Sequence, residues 1–317
     1  MTPLSLTDQE PFFIVLNTGS GRGDAGEVQA TIQRVLDQAG RRYTVMPVDD
    51  GQKLPATAQA AVDQARQQGG IVVAAGGDGT LSAVAQVVLG SGLPFGILPQ
   101  GTFNYFGRTY GIAQDTELST QCLLAAQPQP VQVGLVNDRL FLINASLGLY
   151  PQLLEDREAY KSRYGRSRYV ALWSALVTMG RAHRQLTVQL EHEGQSRILR
   201  TPTIVVGNNA LQLEQIGIVQ ASALEQGRLV AMGARPIGTW AMYGLLLRGW
   251  LSRLGDADHV FSFDFEHLTV HVKRSRRRIK VALDGEIQWL DTPLEFRVSE
   301  QPLQLLVPPA SHRSERV

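Results

Sequence analysis

The chain has 317 residues, 44% of them hydrophobic and 19% charged, with a formal net charge of +1. That length accommodates one large or two ordinary domains with substantial cores, and the balanced charge gives no support to a nucleic-acid partner. A single cysteine excludes an intrachain disulfide and suits a reducing cytosol. No run of about 18 apolar residues is available to span a membrane, and no signal peptide is expected from the N-terminal pattern.

The first apolar run, Phe12-Phe13-Ile14-Val15-Leu16, predicts a strand over 12–17, and it leads into Asn17-Thr18-Gly19-Ser20-Gly21-Arg22-Gly23. A helix over 25–39, a strand over 42–48 and a helix over 56–68 follow. The next strand, over 70–75, runs straight into Gly76-Gly77-Asp78-Gly79-Thr80, which opens a helix over 80–89. A strand over 95–98 then ends in Pro99-Gln100-Gly101-Thr102-Phe103-Asn104, with helices within 103–126. Cys122 falls in the last of these helical stretches and reads as core packing. Strands alternating with helices predict a parallel sheet covered by helices. Three loops rich in Gly, Ser/Thr and Asn, each at the C-terminal end of a strand, fit the crevice where such sheets bind ligands.

Gly76 to Thr80 carries the most chemistry. Glycines permit positive φ and close approach, and a helix start offers unpaired N–H groups and a positive dipole end to a phosphate. Asp78 adds a carboxylate able to hold Mg²⁺, directly or through water, beside that phosphate. Taken alone, the same five residues also describe a tight strand-to-helix turn with an aspartate cap. The two companion loops favour the phosphate reading.

The pattern changes near Gln127-Pro128-Gln129-Pro130. Strands are expected at Val131–Val136, Arg139–Asn144, Leu186–Glu191, Thr203–Val206, Arg228–Met232, Leu268–Val272, Lys280–Leu283 and Leu294–Val298. Asn137-Asp138, Glu193-Gly194 and Asp284-Gly285 are turn signals between them. The expected architecture is a Rossmann-like parallel α/β domain over 1–128, then an antiparallel β-sandwich over 129–302 interrupted by helices near 166–182 and 238–254. The tail beyond Pro308-Pro309 is polar.

In this order, and followed by Asp284-Gly285-Glu286, the three loops resemble the diacylglycerol kinase catalytic family, including bacterial lipid kinases and sphingosine kinases. The resemblance covers roughly 11–308. Gly76 to Thr80 also looks like the loop of NAD kinases, whereas Pro99-x-Gly101-Thr102-x-Asn104 and Asp284-Gly285-Glu286 are specific to the lipid kinases. The resemblance implies two domains with an ATP site in the cleft between them. It also implies a last segment, 303–317, that returns to the first domain.

It further implies that Asn17, Ser20 and Gly21 contact nucleotide, with Thr18 where the family usually has proline. Gly76, Gly77, Gly79 and Thr80 would cradle the phosphates of ATP while Asp78 organises Mg²⁺; Gly101, Thr102 and Asn104 would line the pocket from the other side. Asp284 is the candidate general base toward a lipid hydroxyl, and Glu286 a second acidic group near metal or nucleotide. Arg163 and Arg168 match sphingosine-kinase arginines that reach the ATP phosphates, a task suited to a planar bidentate cation. Asn144, Ser146 and Gly148 match a motif beside the lipid pocket.

Two positions depart from the family. Tyr105 stands where bacterial diacylglycerol kinases usually carry Asp, which puts the metal network in doubt, and Gln226-Gly227 replaces an Asp-Gly associated with an auxiliary metal. The six histidines show no metal-ligand spacing. An anionic membrane surface is expected to meet Lys273-Arg274-Ser275-Arg276-Arg277-Arg278-Ile279-Lys280 or the Trp-containing stretch from Gly238 to Leu254.

The expectation is therefore an ATP- and Mg²⁺-dependent kinase acting on a diacylglycerol-like or long-chain-base lipid. It would be cytoplasmic and peripheral to the inner membrane face, with no nucleic-acid partner and a homodimer left open. An NAD kinase-like enzyme and a catalytically impaired lipid- or nucleotide-binding regulator are the alternatives.

Overall fold

A computed structural model describes residues 6–149 except 8 and 20–23, residue 151, residues 185–235 except 193, and residues 260–273 and 277–314. The chain divides into two compact units, the first comprising Met1–Val133 with Ser299–Val317 and the second Gly134–Val298.

In the first unit, β1 (Phe12–Asn17), α1 (Ala25–Gln38), β2 (Tyr43–Val48), α2 (Leu54–Gln68), β3 (Ile71–Gly76), α3 (Asp78–Val88) and β4 (Phe95–Pro99) alternate along the chain. Two short helices, α4 (Tyr105–Thr109) and α5 (Thr116–Leu124), precede β5 (Gln127–Val131). Every residue of β3 and β4 is buried, as expected of central strands covered on both faces, and so their sequences read as apolar runs without alternation. Helix starts carry their own signals: Asp24 accepts from the Gly26 N–H at 2.9 Å at the head of α1, and Asp115 accepts from Leu118 N–H at 2.9 Å at the head of α5. Gly69 ends α2 in the left-handed region at φ +61°.

The sheet order is β2-β1-β3-β4-β18-β5, where β18 is Leu303–Val307. All neighbours are parallel except β5, which runs antiparallel to β18. Pro128 and Pro130 sit in β5, the end strand of this sheet, the one place where their missing N–H groups break no ladder on a second side. The expected single strand Val131–Val136 is thus two strands in different units, β5 and β6 (Gly134–Val136).

The second unit holds two six-stranded antiparallel sheets, ordered β10-β9-β14-β17-β6-β7 and β13-β12-β11-β8-β15-β16. Their spans are β7 (Arg139–Phe141), β8 (Asn144–Gly148), β9 (Leu186–His192), β10 (Gln195–Thr201), β11 (Thr203–Gly207), β12 (Leu229–Ala234) and β13 (Val260–Phe265). The remainder are β14 (His267–Lys273), β15 (Arg278–Leu283), β16 (Glu286–Asp291) and β17 (Leu294–Val298), and a short helix, α6, covers Ala210–Gln215. A shared core draws Val188, Leu190, Leu268 and Phe296 from one sheet and Ala145, Val206, Ala231 and Val281 from the other. This is the expected sandwich. Its predicted helices at 166–182 and 238–254 lie outside the described residues.

The second unit also corrects an expected element. Arg139–Asn144 is not one strand but β7 and β8, interrupted at Leu142 and Ile143. These residues place their backbone groups elsewhere: the N–H groups go to Asp284, the Leu142 carbonyl accepts from Asn208 Nδ2 at 3.1 Å, and the Ile143 carbonyl accepts from Asn208 N–H at 2.8 Å. A side chain supplied from a distant hairpin has replaced a ladder.

Candidate functional site

The three glycine loops of the first unit are tied to one another. Asn17, at the end of β1, donates from Nδ2 to Thr80 Oγ1 at 2.8 Å and accepts from Gly19 N–H at 3.0 Å. Thr80 is 5% exposed, so this bond fixes the first loop to the first turn of α3. The second and third loops meet backbone to backbone. Gln100 N–H donates to the Gly76 carbonyl at 2.8 Å, and a Cβ on Gly101 would lie 2.9 Å from Gly77 Cα. A Cβ on Gly76 would sit 2.6 Å from the Thr80 side chain. Glycine is required at both places by close approach, with neither residue in the left-handed region.

Gly77 caps α3 with no side-chain hydrogen bond, so the first-turn N–H groups are not taken by a cap. An eleven-residue helix with such a start presents partial positive charge and donors together. Asp78 stands in that first turn. Its Oδ2 accepts from Tyr105 N–H at 3.3 Å and its Oδ1 from Phe106 N–H at 3.4 Å, so the carboxylate bridges α3 to the start of α4 through long bonds.

Asn104 is 1% exposed and holds φ +48°. Its Oδ1 accepts from Gly101 N–H at 2.8 Å while Nδ2 donates to the Gly101 carbonyl at 3.0 Å. Both ends of this amide therefore close the third loop on itself. Gly101 and Asn104, with Gln100, Gln114 and Thr31, line a cavity of about 550 Å³. Gln100, Gln114 and Thr31 escaped the sequence reading because glutamine and threonine carry no periodic signal of their own. Thr102 lies in the third loop, and Ser20 and Gly21 fall outside the described residues.

Tyr105, the family departure, stacks on Phe103 with centroids 5.9 Å apart and planes 5° apart, and the Arg108 guanidinium lies 5.6 Å from the Tyr105 ring centroid. Phe103 is 52% exposed, so an aromatic stack borders this loop.

In the second unit, Asp284 and Gly285 form the β15–β16 turn with φ +48° and +92°. Positive φ at both central residues is the twist-matched hairpin geometry that Asp-Gly favours. The turn aims the carboxylate across at the β7–β8 interruption. Oδ2 accepts from Leu142 N–H at 2.7 Å, and Oδ1 accepts from Ile143 and Asn144 N–H at 2.8 and 2.9 Å. A carboxylate offers roughly four acceptor positions, and these three bonds alone occupy most of them. Glu286, the first residue of β16, is exposed and has no side-chain hydrogen bond among the described residues.

Asn144 is 7% exposed and donates from Nδ2 to Gln212 Oε1 at 2.9 Å. Its Oδ1 and the fully buried Ser146 Oγ, one pleat further along β8, lack a hydrogen-bond partner. Gly148, at φ +94°, packs so closely on Pro202 that a Cβ would meet its carbonyl oxygen. Arg163 and Arg168 lie outside the described residues, as do Arg274 to Arg276 of the basic run and 238–254.

Asp78 fits a Mg²⁺ ion by chemistry, because magnesium takes oxygen ligands and commonly uses one or two carboxylates with substrate phosphates and water. No cluster of three or more His, Cys, Asp or Glu side chains is gathered for a metal among the described residues. Gln226 and Gly227 end a 3₁₀ turn, with Gly227 at φ +78°. No helix among the described residues is long and apolar enough to cross a membrane.

Several known proteins are similar to this chain. Residues 11–136 match the family described as the diacylglycerol kinase catalytic domain. Over 240 residues the chain is 27% identical to "Putative lipid kinase SERP0390" of Staphylococcus epidermidis, covering 73% of this chain and 74% of that protein. A 79-residue stretch is 38% identical to "Probable lipid kinase YegS-like" of Klebsiella pneumoniae, covering 24% of this chain and 27% of that protein. The crystal structure of "a putative diacylglycerol kinase" from Bacillus anthracis str. Sterne shares the fold, with a TM-score of 0.72 at 19% identity over 95% of this chain and 98% of that one. With its three linked loops, the segment 11–136 is thus similar to the diacylglycerol kinase catalytic domain.

Proposed function

We propose that the protein is an ATP- and Mg²⁺-dependent lipid kinase that phosphorylates a hydroxyl of a diacylglycerol-like or long-chain-base lipid. The observation that carries this reading is the joining of three glycine loops around an uncapped helix start, through Asn17–Thr80 and the Gly77–Gly101 approach. Such a cradle suits a chain of phosphates. The α3 N–H groups and the loop glycines would bind the phosphates of ATP, and the cavity beside Gly101 and Asn104 would take the nucleoside. Asp78, in the first turn of the same helix, would hold Mg²⁺, which when bound neutralises charge on the phosphoryl oxygens.

Phosphoryl transfer forms a bond from the lipid oxygen to the γ-phosphorus, breaks the bond to the β–γ bridging oxygen, and requires the hydroxyl proton to leave. Asp284 was the sequence candidate for receiving it. Three short N–H bonds to its carboxylate favour a positioning role instead, and Glu286, two residues on and unencumbered, is the better acceptor. Asn144 and Ser146, with their unpartnered buried oxygens, would face the polar part of the lipid. The basic residues Lys273, Arg277, Arg278 and Lys280 would draw the protein to an anionic membrane surface.

The deciding experiment incubates the purified chain with labelled ATP, Mg²⁺ and a mixed lipid extract, then identifies phosphorylated product by mass spectrometry. Labelled lipid that disappears in Glu286→Gln supports the reading; label on NAD would favour the NAD kinase alternative. ATP binding without any product would favour a regulatory protein, the reading to which the Phe103–Tyr105 stack lends weight.

A further inference from the structure

The second unit contains a cavity of about 610 Å³ well apart in sequence from the Asp284 hairpin, and three arginines line it. Arg197 and Arg200 come from β10 and Arg235 follows β12; Leu199, Phe261 and Phe263 supply apolar wall. The location follows from topology. β10 ends one sheet of the sandwich and β13 ends the other, so among the described residues neither has a strand on its outer side. Leu199 and Phe263 pack on the shared core, which makes that core the floor of the cavity. Phe261 and Phe263 lie 6.5 Å apart with their planes at 14°.

Positions 197 and 199 share one face of β10 and position 200 lies on the other, so Arg197 and Arg200 reach the cavity from the two sides of the strand edge. None of the three guanidiniums has an ion-pair or hydrogen-bond partner among the described residues, and the cavity lining contains no Asp or Glu. Other arginines of this unit do meet carboxylates: Arg228 contacts Asp264 at 2.7 Å and Arg297 contacts Asp138 at 2.6 Å. Three guanidiniums lining one apolar-floored space offer an entering anion several charged donors. The anion that guanidinium planes match best is a phosphate, through paired N–H bonds. An aromatic and aliphatic floor of this kind suits an acyl chain.

We propose that this cavity binds the phosphate head and proximal acyl chain of a lipid phosphate, separately from the site of phosphoryl transfer. The ligand class includes the product that the proposed reaction would release. The inference does not depend on that reaction, since a chain with no kinase activity would still bind here. A purely edge-guarding role for Arg197, in which its charge deters strand pairing, would leave such binding absent.

The test is calorimetric titration of the full chain, without ATP, using dihexanoyl phosphatidic acid below its aggregation threshold. Inorganic phosphate and dihexanoylglycerol serve as the two comparison ligands. The lipid phosphate is expected to bind at least about tenfold more tightly than either, because a charge-assisted hydrogen bond and the buried chain each contribute on that scale. Arg197→Gln and Arg200→Gln are each expected to weaken it about tenfold, whereas Arg197→Lys, which keeps the charge, retains more of the affinity. All three positions are exposed, so the thermal midpoints should match that of the parent chain. The proposal is overturned by absence of binding, by inorganic phosphate or the neutral lipid binding equally well, or by affinity that the glutamine variants leave unchanged. Loss of labelled product in the kinase assay, with this binding intact, would instead overturn only the proposed function.

Discussion

Asp78 and Asp284 are both aspartates followed by glycine, yet their surroundings differ in kind. Asp78 begins a helix in the first unit and reaches two N–H groups at 3.3 and 3.4 Å. Asp284 turns a hairpin in the second and receives three N–H groups at 2.7 to 2.9 Å. The first carboxylate ties a helix start to a neighbouring helix through long bonds; the second fills a gap in the backbone hydrogen bonding of its own sandwich. A dipeptide therefore does not define a role. What decides it is how many donors the fold has already aimed at the oxygens.

The largest expected effect would break this contrast at Asp284. Asp284→Ala strands three N–H groups on Leu142, Ile143 and Asn144, all buried, and at about 1 kcal/mol or more each should cost roughly 3 kcal/mol of stability by urea unfolding. An unchanged midpoint would show the three bonds to be dispensable. Asp78→Asn should leave stability within about 1 kcal/mol, since an amide oxygen still accepts, but lower turnover by about 10²-fold or more under the proposed function. A stability loss as large as that of Asp284→Ala would erase the distinction.

Gly101→Ala sharpens the view of the first unit. Its new Cβ meets Gly77 backbone at 2.9 Å and Asn104 Oδ1 at 2.7 Å, so the variant should lose about 1–3 kcal/mol and raise the KM for ATP. Thr80→Val, nearly isosteric, removes the acceptor for Asn17 and should cost about 1 kcal/mol while weakening ATP binding severalfold. Smallest is a chemical change at Cys122. Burial raises this thiol above its ordinary value of 9.0, so below that pH it is more fully protonated than a free cysteine. Alkylation at pH 8 should be slow in the native chain and speed up on unfolding, as read by intact mass.

Much of this was legible in the residues because burial writes itself into sequence. β3 and β4 are apolar throughout and β1 is apolar up to Asn17, and the loops that follow them are conspicuous for their glycines. The sandwich showed through Asn137-Asp138 and Asp284-Gly285, whose side chains tolerate the positive φ of tight turns. β10 was not legible: Gln195-Ser196-Arg197-Ile198 is exposed along an edge, so no alternation forms. The split of Arg139–Asn144 was hidden for another reason. Leu142 and Ile143 look like strand interior by themselves, and only Asp284, 142 residues away in the case of Leu142, explains where their N–H groups go. Asn17 and Asn104 were picked out as nucleotide contacts, while their bonds within and between loops depend on three-dimensional approach.

The sheet order of the first unit has a consequence for synthesis. β18 lies between β4 and β5, although the whole second unit is encoded between β5 and β18. While a ribosome makes the chain, the sandwich is therefore complete before the first unit can close its sheet. Until Leu303–Val307 emerges, β4 and β5 each keep an open flank, and such flanks are where nascent chains misassociate. The order of manufacture thus makes the loop-bearing unit the last part of this protein to become whole.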